Sequence, residues 1–130
     1  MNILIVENCS ELAKLWQRAL ERVGAVVARS QSVTEAIYQI QSQCFDVIVT
    51  NLICDGVPTM PVADYAAYRS PKSQVIFVTN TSFFSDGSIF RLCANAAGFL
   101  QRDTPPEDLA ALAQHYAASV PNVSRLCGAQ

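Results

Sequence analysis

Short apolar runs alternate along this chain with segments whose apolar residues recur at helical spacing. The apolar runs, each ending in polar residues, are Met1–Val6, Ala25–Ala28, Phe45–Thr50, Gln74–Val78 and Gly98–Gln101. Nearly unbroken apolar runs of this length are typical of strands that are covered on both faces. The pattern therefore predicts five strands, with Val47–Val49 the most buried of them.

The segments between these runs carry helix patterns and helix-end residues. Apolar residues recur from Leu12 to Val23, with Ser10 as a candidate N-cap and Gly24 as the residue that ends the helix. A second helix is predicted to start near Ser32 or Thr34. Three more are predicted around Val62–Tyr68, around Ile89–Cys93 and from Pro105 to about Val120. Strict alternation of strands and helices predicts an α/β fold with a parallel sheet and helices on both faces.

Composition and charge narrow the class of protein. The chain has 130 residues, of which 51% are hydrophobic, and a net charge of -2. This length fits one domain, predicted over residues 1–120 with a tail over 121–130. We expect no nucleic-acid partner and no membrane association, because there is neither a basic run nor an apolar run of about 20 residues. Without a signal-peptide pattern at the N-terminus, a cytoplasmic location is expected.

The five cysteines are widely scattered and form no C-x-x-C pair. With a single histidine in the chain, a structural zinc site is not expected. We therefore expect reduced thiols, some of them acting as small core residues.

Polar side chains follow four of the predicted strands at the point where each strand ends. They are Glu7-Asn8, Asn51, Thr79-Asn80 and Arg102. The carboxyl ends of parallel strands meet at one edge of a sheet, where α/β proteins gather their ligands and chemistry. We therefore expect these residues to form one pocket.

In order and spacing, these positions resemble the receiver domain of bacterial two-component signalling along almost the whole chain. In that family an acidic pair follows the first strand, where this sequence has Glu7-Asn8. The phosphoacceptor Asp ends the third strand, at Asn51 here, and a Ser or Thr ends the fourth, at Thr79. The family's lysine corresponds to Arg102, within Gly98–Arg102. The resemblance implies a flavodoxin-like (βα)5 fold, which is a doubly wound five-stranded parallel sheet with helices on both faces.

The residues that would carry phosphotransfer depart from the pattern of that family. Aspartyl phosphate forms on a carboxylate, whereas the amide of Asn51 is uncharged and a poor nucleophile. Of the three carboxylates that the resemblance implies for Mg²⁺, only Glu7 is present, so we expect no metal and no other cofactor. Because the nucleophile is also missing, we expect no enzymatic activity. We hypothesise instead an ion pair between Glu7 and Arg102, with Asn8 and Asn51 as hydrogen-bond partners.

Three further positions belong to the predicted pocket or its surroundings. Asn80 stands where the family favours a small residue, and we expect it to narrow access for a phosphodonor. Asp55 stands where the family favours a proline. A role in a turn with Gly56 explains this aspartate better than a role as a substitute phosphoacceptor. Phe99 fills the aromatic switch position of the family, and without a hydroxyl we expect it to stay in or beside the core.

A candidate partner surface contains Phe83, Phe84, Ile89 and Phe90. Adjacent aromatic residues such as Phe83 and Phe84 cannot easily both face the core, so one of them is a candidate contact residue. An equally good interpretation places one in the core and the other flat on the surface. In the family, the face made by the fourth helix, fifth strand and fifth helix is used for dimers and partners.

The sequence thus predicts a degenerate receiver domain that acts as a phosphorylation-independent protein–protein interaction module, binding a protein partner or a second copy. One alternative is a phosphoreceiver in which the acceptor Asp has been substituted. Another is a module that binds a small molecule in the strand-end pocket. A flavodoxin-type enzyme or flavin carrier ranks last, because Glu7–Glu11 offers no glycine-rich phosphate-binding loop.

Overall fold

The centre of the protein is a parallel sheet of five strands. The computed structural model describes residues 1–51, 53–54, 57–70, 72–79, 96–101 and 104–119. The strands are β1 (Asn2–Val6), β2 (Val26–Ser30), β3 (Val47–Asn51), β4 (Gln74–Thr79) and β5 (Ala96–Gln101). They lie side by side in the order β2-β1-β3-β4-β5, and every neighbouring pair is parallel. The predicted five-stranded parallel sheet is confirmed.

Four helices are described on the two faces of this sheet. They are α1 (Ser10–Arg22), α2 (Val33–Ser42), α3 (Met60–Arg69) and a C-terminal helix (Pro106–Ser119). The helix predicted around Ile89–Cys93 and the tail after Ser119 lie outside the described residues. Within the described part of the chain, no helix has both the length and the apolar character needed to cross a membrane.

Alternating side chains of the buried strands feed two separate cores. Ile3, Ile5, Val47 and Val49 point to one face, where they pack with α1 and the C-terminal helix; Ile76 and Val78 join them there. Leu4, Val6, Ile48, Val75 and Phe77 point to the other face and pack with α2 and α3. Because both faces are covered, the strands need apolar residues at consecutive positions, which explains their unbroken apolar pattern.

The helix ends agree with the sequence at two positions and differ at a third. Gly24 follows α1 with a φ of 91°, the left-handed conformation in which glycine ends helices. Ser32 is the N-cap of α2, and its hydroxyl accepts the Glu35 N–H at 3.1 Å. The expectation for Ser10 is wrong: Cys9 is the N-cap of α1 and Ser10 is its first residue, because the Cys9 carbonyl already accepts the Ala13 N–H.

Two local differences appear near the strand ends. Residues Ile53–Cys54 pair with Val57–Pro58 as a two-residue antiparallel ribbon, where the sequence predicts only a loop. The sequence between them contains Asp-Gly, a hairpin signal from which this pairing could have been predicted. Strand β5 begins at Ala96, two residues before Gly98, where the sequence predicts its start. The pairing of β4 with β5 has a register shift between Val75 and Ile76.

The cysteine expectation is wrong at one position. Cys44 is disulfide-bonded, whereas Cys9 is a free thiol that is half-buried. The side chains of Cys54, Cys93 and Cys127 are not among those described. Disulfide pairing depends on which chain segments the fold brings together, so the spacing of cysteines along the sequence could not reveal it.

Candidate functional site

The fold brings the ends of β1 and β3 together, as the sequence predicts. Val6 and Thr50 are paired residues of these neighbouring strands, so Glu7 and Asn51 follow them side by side at the carboxyl edge of the sheet. Glu7 is only 1% exposed, and Asn51 is partly buried. A carboxylate and an amide thus meet in a setting that excludes most solvent.

Both oxygens of the Glu7 carboxylate accept hydrogen bonds. Asn51 donates from Nδ2 to Oε2 at 2.8 Å, and the backbone N–H of Cys9 donates to Oε1 at 3.1 Å. An ionised carboxylate can only accept, so this contact also fixes the orientation of the Asn51 amide, with its NH₂ group toward Glu7. Hydrogen bonds to a charged acceptor are the stronger kind, so the Glu7–Asn51 contact holds β1 and β3 together at this edge.

The backbone carbonyl of Asn51 makes contacts that the sequence did not predict. Thr59 donates its hydroxyl to this oxygen at 2.6 Å, and Thr50 donates to it at 3.0 Å. Thr59 is fully buried and is the N-cap residue of α3, yet its side chain does not cap the helix. A threonine before a helix is a recognisable N-cap signal. Nothing in the sequence shows that its hydroxyl instead donates to the backbone carbonyl of Asn51, at the end of β3. Thr59 thereby connects the start of α3 to the end of β3.

This donor set does not fit the Mg²⁺ that receiver domains hold. Magnesium needs near-octahedral oxygen ligands, preferably anionic ones. Here Asn51 turns an NH₂ group toward Glu7, and an amide NH₂ group cannot bind a cation, so this pair offers one anionic side chain instead of two. Among the described residues, no group of three or more His, Cys, Asp and Glu side chains is placed to hold a metal ion.

The remaining predicted residues divide into those that the structure places and those that it does not. Asn8 is exposed, and the described contacts of the Glu7 carboxylate are with Asn51 and Cys9. Thr79 is the last residue of β4, one position after Val78, which pairs with Asn51. The side chains of Thr79 and Phe99 are not described. Outside the described residues lie Asp55, Asn80, Phe83, Phe84, Ile89, Phe90 and Arg102. The Glu7–Arg102 ion pair therefore stays a prediction.

A cleft of 390 Å³ opens beside Glu7 along the β2 edge of the sheet. Glu7, Ser10, Ala13, Arg29, Gln31 and Glu35 line it. These residues come from the end of β1, the start of α1, the end of β2 and the start of α2. No single motif joins them in the sequence, which is why the pattern of residues alone did not reveal the cleft.

Comparison with known proteins identifies the fold. No protein-family profile matches the chain, and no curated protein matches its sequence. Among solved structures, it is similar to a CheY-like response regulator receiver domain from Methanospirillum hungatei, with a TM-score of 0.80 and 20% identity over 90% of this chain and 93% of that one. The non-phosphorylated HemR receiver domain from Leptospira biflexa gives 0.80 and 18%, covering 92% and 96%.

A third similar structure contains a phosphorylated side chain and a bound metal ion. It is a response regulator from Burkholderia pseudomallei with a phosphorylated aspartic acid, a calcium ion and citrate, at a TM-score of 0.77 and 20% identity. The match covers 92% of this chain and 69% of that one. The chain therefore has the fold of a CheY-like response regulator receiver domain, with the strand order and two-faced core that this fold requires.

Proposed function

We propose that this chain is a receiver domain of two-component signalling that works as a protein–protein interaction module without phosphorylation. The observation that carries the proposal is the 2.8 Å hydrogen bond from the Asn51 amide to the buried Glu7 carboxylate. An amide at the end of β3 supplies no nucleophile for acyl-phosphate formation. The same amide donates a hydrogen bond to the Glu7 carboxylate, which thereby has a polar partner without a bound cation.

The proposed module has no enzymatic activity of its own and acts through its surface, in the cytoplasm of a bacterium. Receiver folds use the face around their fifth strand and last helix for partners and for dimers, and the described part of that face includes the C-terminal helix. Its exposed residues include Glu107, Asp108, Ala111, Gln114 and His115. The disulfide at Cys44 is a reason to measure the location, because structural disulfides are rare in reducing compartments.

The first test is exposure of the purified protein to acetyl phosphate with Mg²⁺, and separately to beryllofluoride with Mg²⁺. We expect an unchanged intact mass and no shift of the backbone amides around Asn51 and Thr79. Buried Trp16, the single tryptophan, reports the same result by fluorescence. A mass gain of one phosphoryl group, or saturable shifts with beryllofluoride, would reject phosphorylation independence.

The second test addresses the interaction surface. Gln114 on the C-terminal helix and Gln41 on α2 are both exposed glutamines on opposite faces of the sheet. Gln114→Arg is expected to weaken self-association or binding of the cognate partner, measured by sedimentation velocity, whereas Gln41→Arg leaves it unchanged. Equal effects of the two variants would rule out the face that contains the C-terminal helix.

A second candidate function is recognition of a small molecule at the carboxyl edge of the sheet. The observation that favours it is the 390 Å³ cleft, which Glu7 lines together with charged residues of β2 and α2. A cleft of this size is within the range that small ligands occupy in proteins, roughly 300–1,000 Å³. Ligand-induced stabilisation of the protein in a thermal melt with a metabolite mixture tests this candidate.

A further inference from the structure

We infer that the cleft beside Glu7 binds a small zwitterion that carries an ammonium and a carboxylate group, the class that includes the α-amino acids. This inference rests on the second candidate function and names the chemistry of its ligand. It starts from the unusual combination of a buried carboxylate and an exposed guanidinium in one cleft of 390 Å³.

Glu7 supplies a buried carboxylate to the cleft. Its two hydrogen-bond donors, the Asn51 amide and the Cys9 N–H, are both neutral, so they leave its negative charge in place. Among the described residues no ion pair is recorded for Glu7. A carboxylate has about four acceptor sites, and two contacts leave capacity for another donor. A buried carboxylate that lines an open cleft favours a cationic donor, because electrostatic attraction is stronger where water is excluded.

A second carboxylate, that of Glu35, lies on the wall contributed by α2. Its Oε1 accepts the backbone N–H of Gln31 at 2.9 Å, which holds the side chain against the cleft. Like Glu7, it has no ion-pair partner recorded among the described residues. Two carboxylates on the walls of one cleft suit an ammonium group, which has three N–H donors to share between them.

Arg29 supplies the cationic group of the cleft. Arg29 is paired with Ile5, two residues before Glu7, and the side chains of Arg29 and Glu7 both line the cleft. Strand spacing and rise place the Cα atoms of Arg29 and Glu7 about 8 Å apart. The guanidinium forms no recorded ion pair with Glu35 or any other described residue, although both line the cleft. A planar guanidinium at the rim can bind a ligand carboxylate with two parallel hydrogen bonds.

The opposite charges of the cleft select a ligand with both charges. A simple cation is attracted by Glu7 and Glu35 but repelled by Arg29, and a simple anion meets the reverse combination. A zwitterion satisfies both charges, with its ammonium group toward Glu7 and its carboxylate toward Arg29. The hydroxyl of Ser10 and the amide of Gln31 add neutral polar groups to the walls between them.

The test is an NMR titration of the intact chain with three probes of matched shape. L-Norvaline carries both charges, butylamine lacks the carboxylate, and pentanoate lacks the ammonium group. We expect saturable shifts of the Ser10, Ala13, Arg29 and Gln31 amides with norvaline. Binding of butylamine and of pentanoate should each be weaker by about tenfold or more, because each loses one charge-assisted interaction.

Variants assign the binding to the cleft. Arg29→Ala and Glu35→Gln change exposed side chains, so the domain should stay folded, and each is expected to weaken norvaline binding about tenfold or more. Arg22→Ala, at the exposed last turn of α1 outside the cleft, is the matched control and should bind norvaline normally. Equal weakening by Arg22→Ala and Arg29→Ala would show that the effect comes from net charge and would overturn the assignment.

The outcomes of the titration separate this inference from the functions proposed above. Butylamine binding as tightly as norvaline would overturn the zwitterion and leave a ligand-binding cleft. Absence of shifts at the cleft amides with all three probes would overturn the inference as a whole. Neither result bears on whether Asn51 can be phosphorylated, which the acetyl phosphate experiment tests separately.

Discussion

Asn51→Asp is the substitution that tests the chemistry of the pocket most directly. It replaces the NH₂ group that lies 2.8 Å from Oε2 of Glu7 with a second carboxyl oxygen. Glu7 is 1% exposed, so solvent screens little of the new interaction. The variant also restores the residue type that phosphoreceiver domains carry at this position.

The loss of unfolding free energy that Asn51→Asp causes can be bounded from below and from above. Loss of a hydrogen bond to a charged group costs about 1.5–3 kcal/mol. If both carboxyls stayed ionised about 3 Å apart, their repulsion would be roughly 5 kcal/mol at an effective dielectric constant of about 20. The introduced carboxyl can avoid this by taking up a proton, which at pH 7 costs about 4 kcal/mol for a group that normally titrates near 3.9. We therefore expect a loss of about 2–4 kcal/mol of unfolding free energy at pH 7, a large part of the 5–15 kcal/mol typical of a domain.

The pH dependence of the variant follows from the direction in which the pKa of the introduced carboxyl group shifts on folding. The neighbouring carboxylate raises the pKa of the introduced carboxyl in the folded state above its value in the unfolded chain. The folded state then binds more protons than the unfolded state. The loss of unfolding free energy is therefore absent at low pH. It grows as the pH rises from about 4 toward the raised pKa of the folded state.

Urea denaturation followed by Trp16 fluorescence measures this prediction, since Trp16 is buried in the core beside α1. Gln114→Glu adds the same charge at an exposed position on the C-terminal helix, away from the pocket, and serves as the control, with an unchanged midpoint expected. Addition of Mg²⁺ should recover stability in Asn51→Asp alone, because two carboxylates make a site that binds the folded state. Equal midpoints for the two variants at pH 7 without metal would refute this account of the pocket.

Three stability predictions concern other hydrogen bonds of the site and its surroundings. Thr59→Val removes the hydroxyl that donates to the Asn51 carbonyl and should cost about 1 kcal/mol in urea denaturation, whereas Thr59→Ser should keep most of it. Ser32→Ala removes the N-cap of α2 and should cost about 1 kcal/mol, with the change confirmed by faster amide exchange at Glu35. Ser30 Oγ is buried and has no hydrogen-bond partner recorded within the described part of the chain, so Ser30→Ala should keep or raise the melting temperature; a clear drop would show a partner that this account lacks.

The strands were predictable because burial on both faces leaves a direct trace in the sequence. Residues 47–50 of β3 are all buried, and their order Val-Ile-Val-Thr shows it without further information. The pairing of Glu7 with Asn51 was predictable for a related reason. Both residues follow buried strands, and parallel strands end at one edge.

The features that could not be predicted depend on backbone geometry or on distant segments. The N-cap of α1 is Cys9 and not Ser10, a difference of one residue that the local conformation decides. The Thr59 hydroxyl contacts a carbonyl eight residues earlier in the chain, and Cys44 forms a disulfide. Neither interaction has a signal in residue spacing, since each depends on the tertiary path of the chain.

Glu7 belongs both to the hydrogen bond with Asn51 and to the wall of the cleft, so the two proposals meet at one side chain. A ligand shifts a conformational equilibrium only by the difference in its affinity for the two states. If Asn51 is not phosphorylated, as we propose, the pocket has no covalent signal to create such a difference. An ammonium group at Glu7 could create one, because it would bind the same carboxylate that accepts the Asn51 amide. The Asn51 carbonyl in turn contacts Thr59 at the start of α3, which gives the change a route to the surface of the domain. We therefore expect norvaline to shift the side-chain NH₂ resonances of Asn51 and the backbone amide of Met60 together with the cleft amides. Shifts confined to the cleft would show that ligand binding and the pocket are independent.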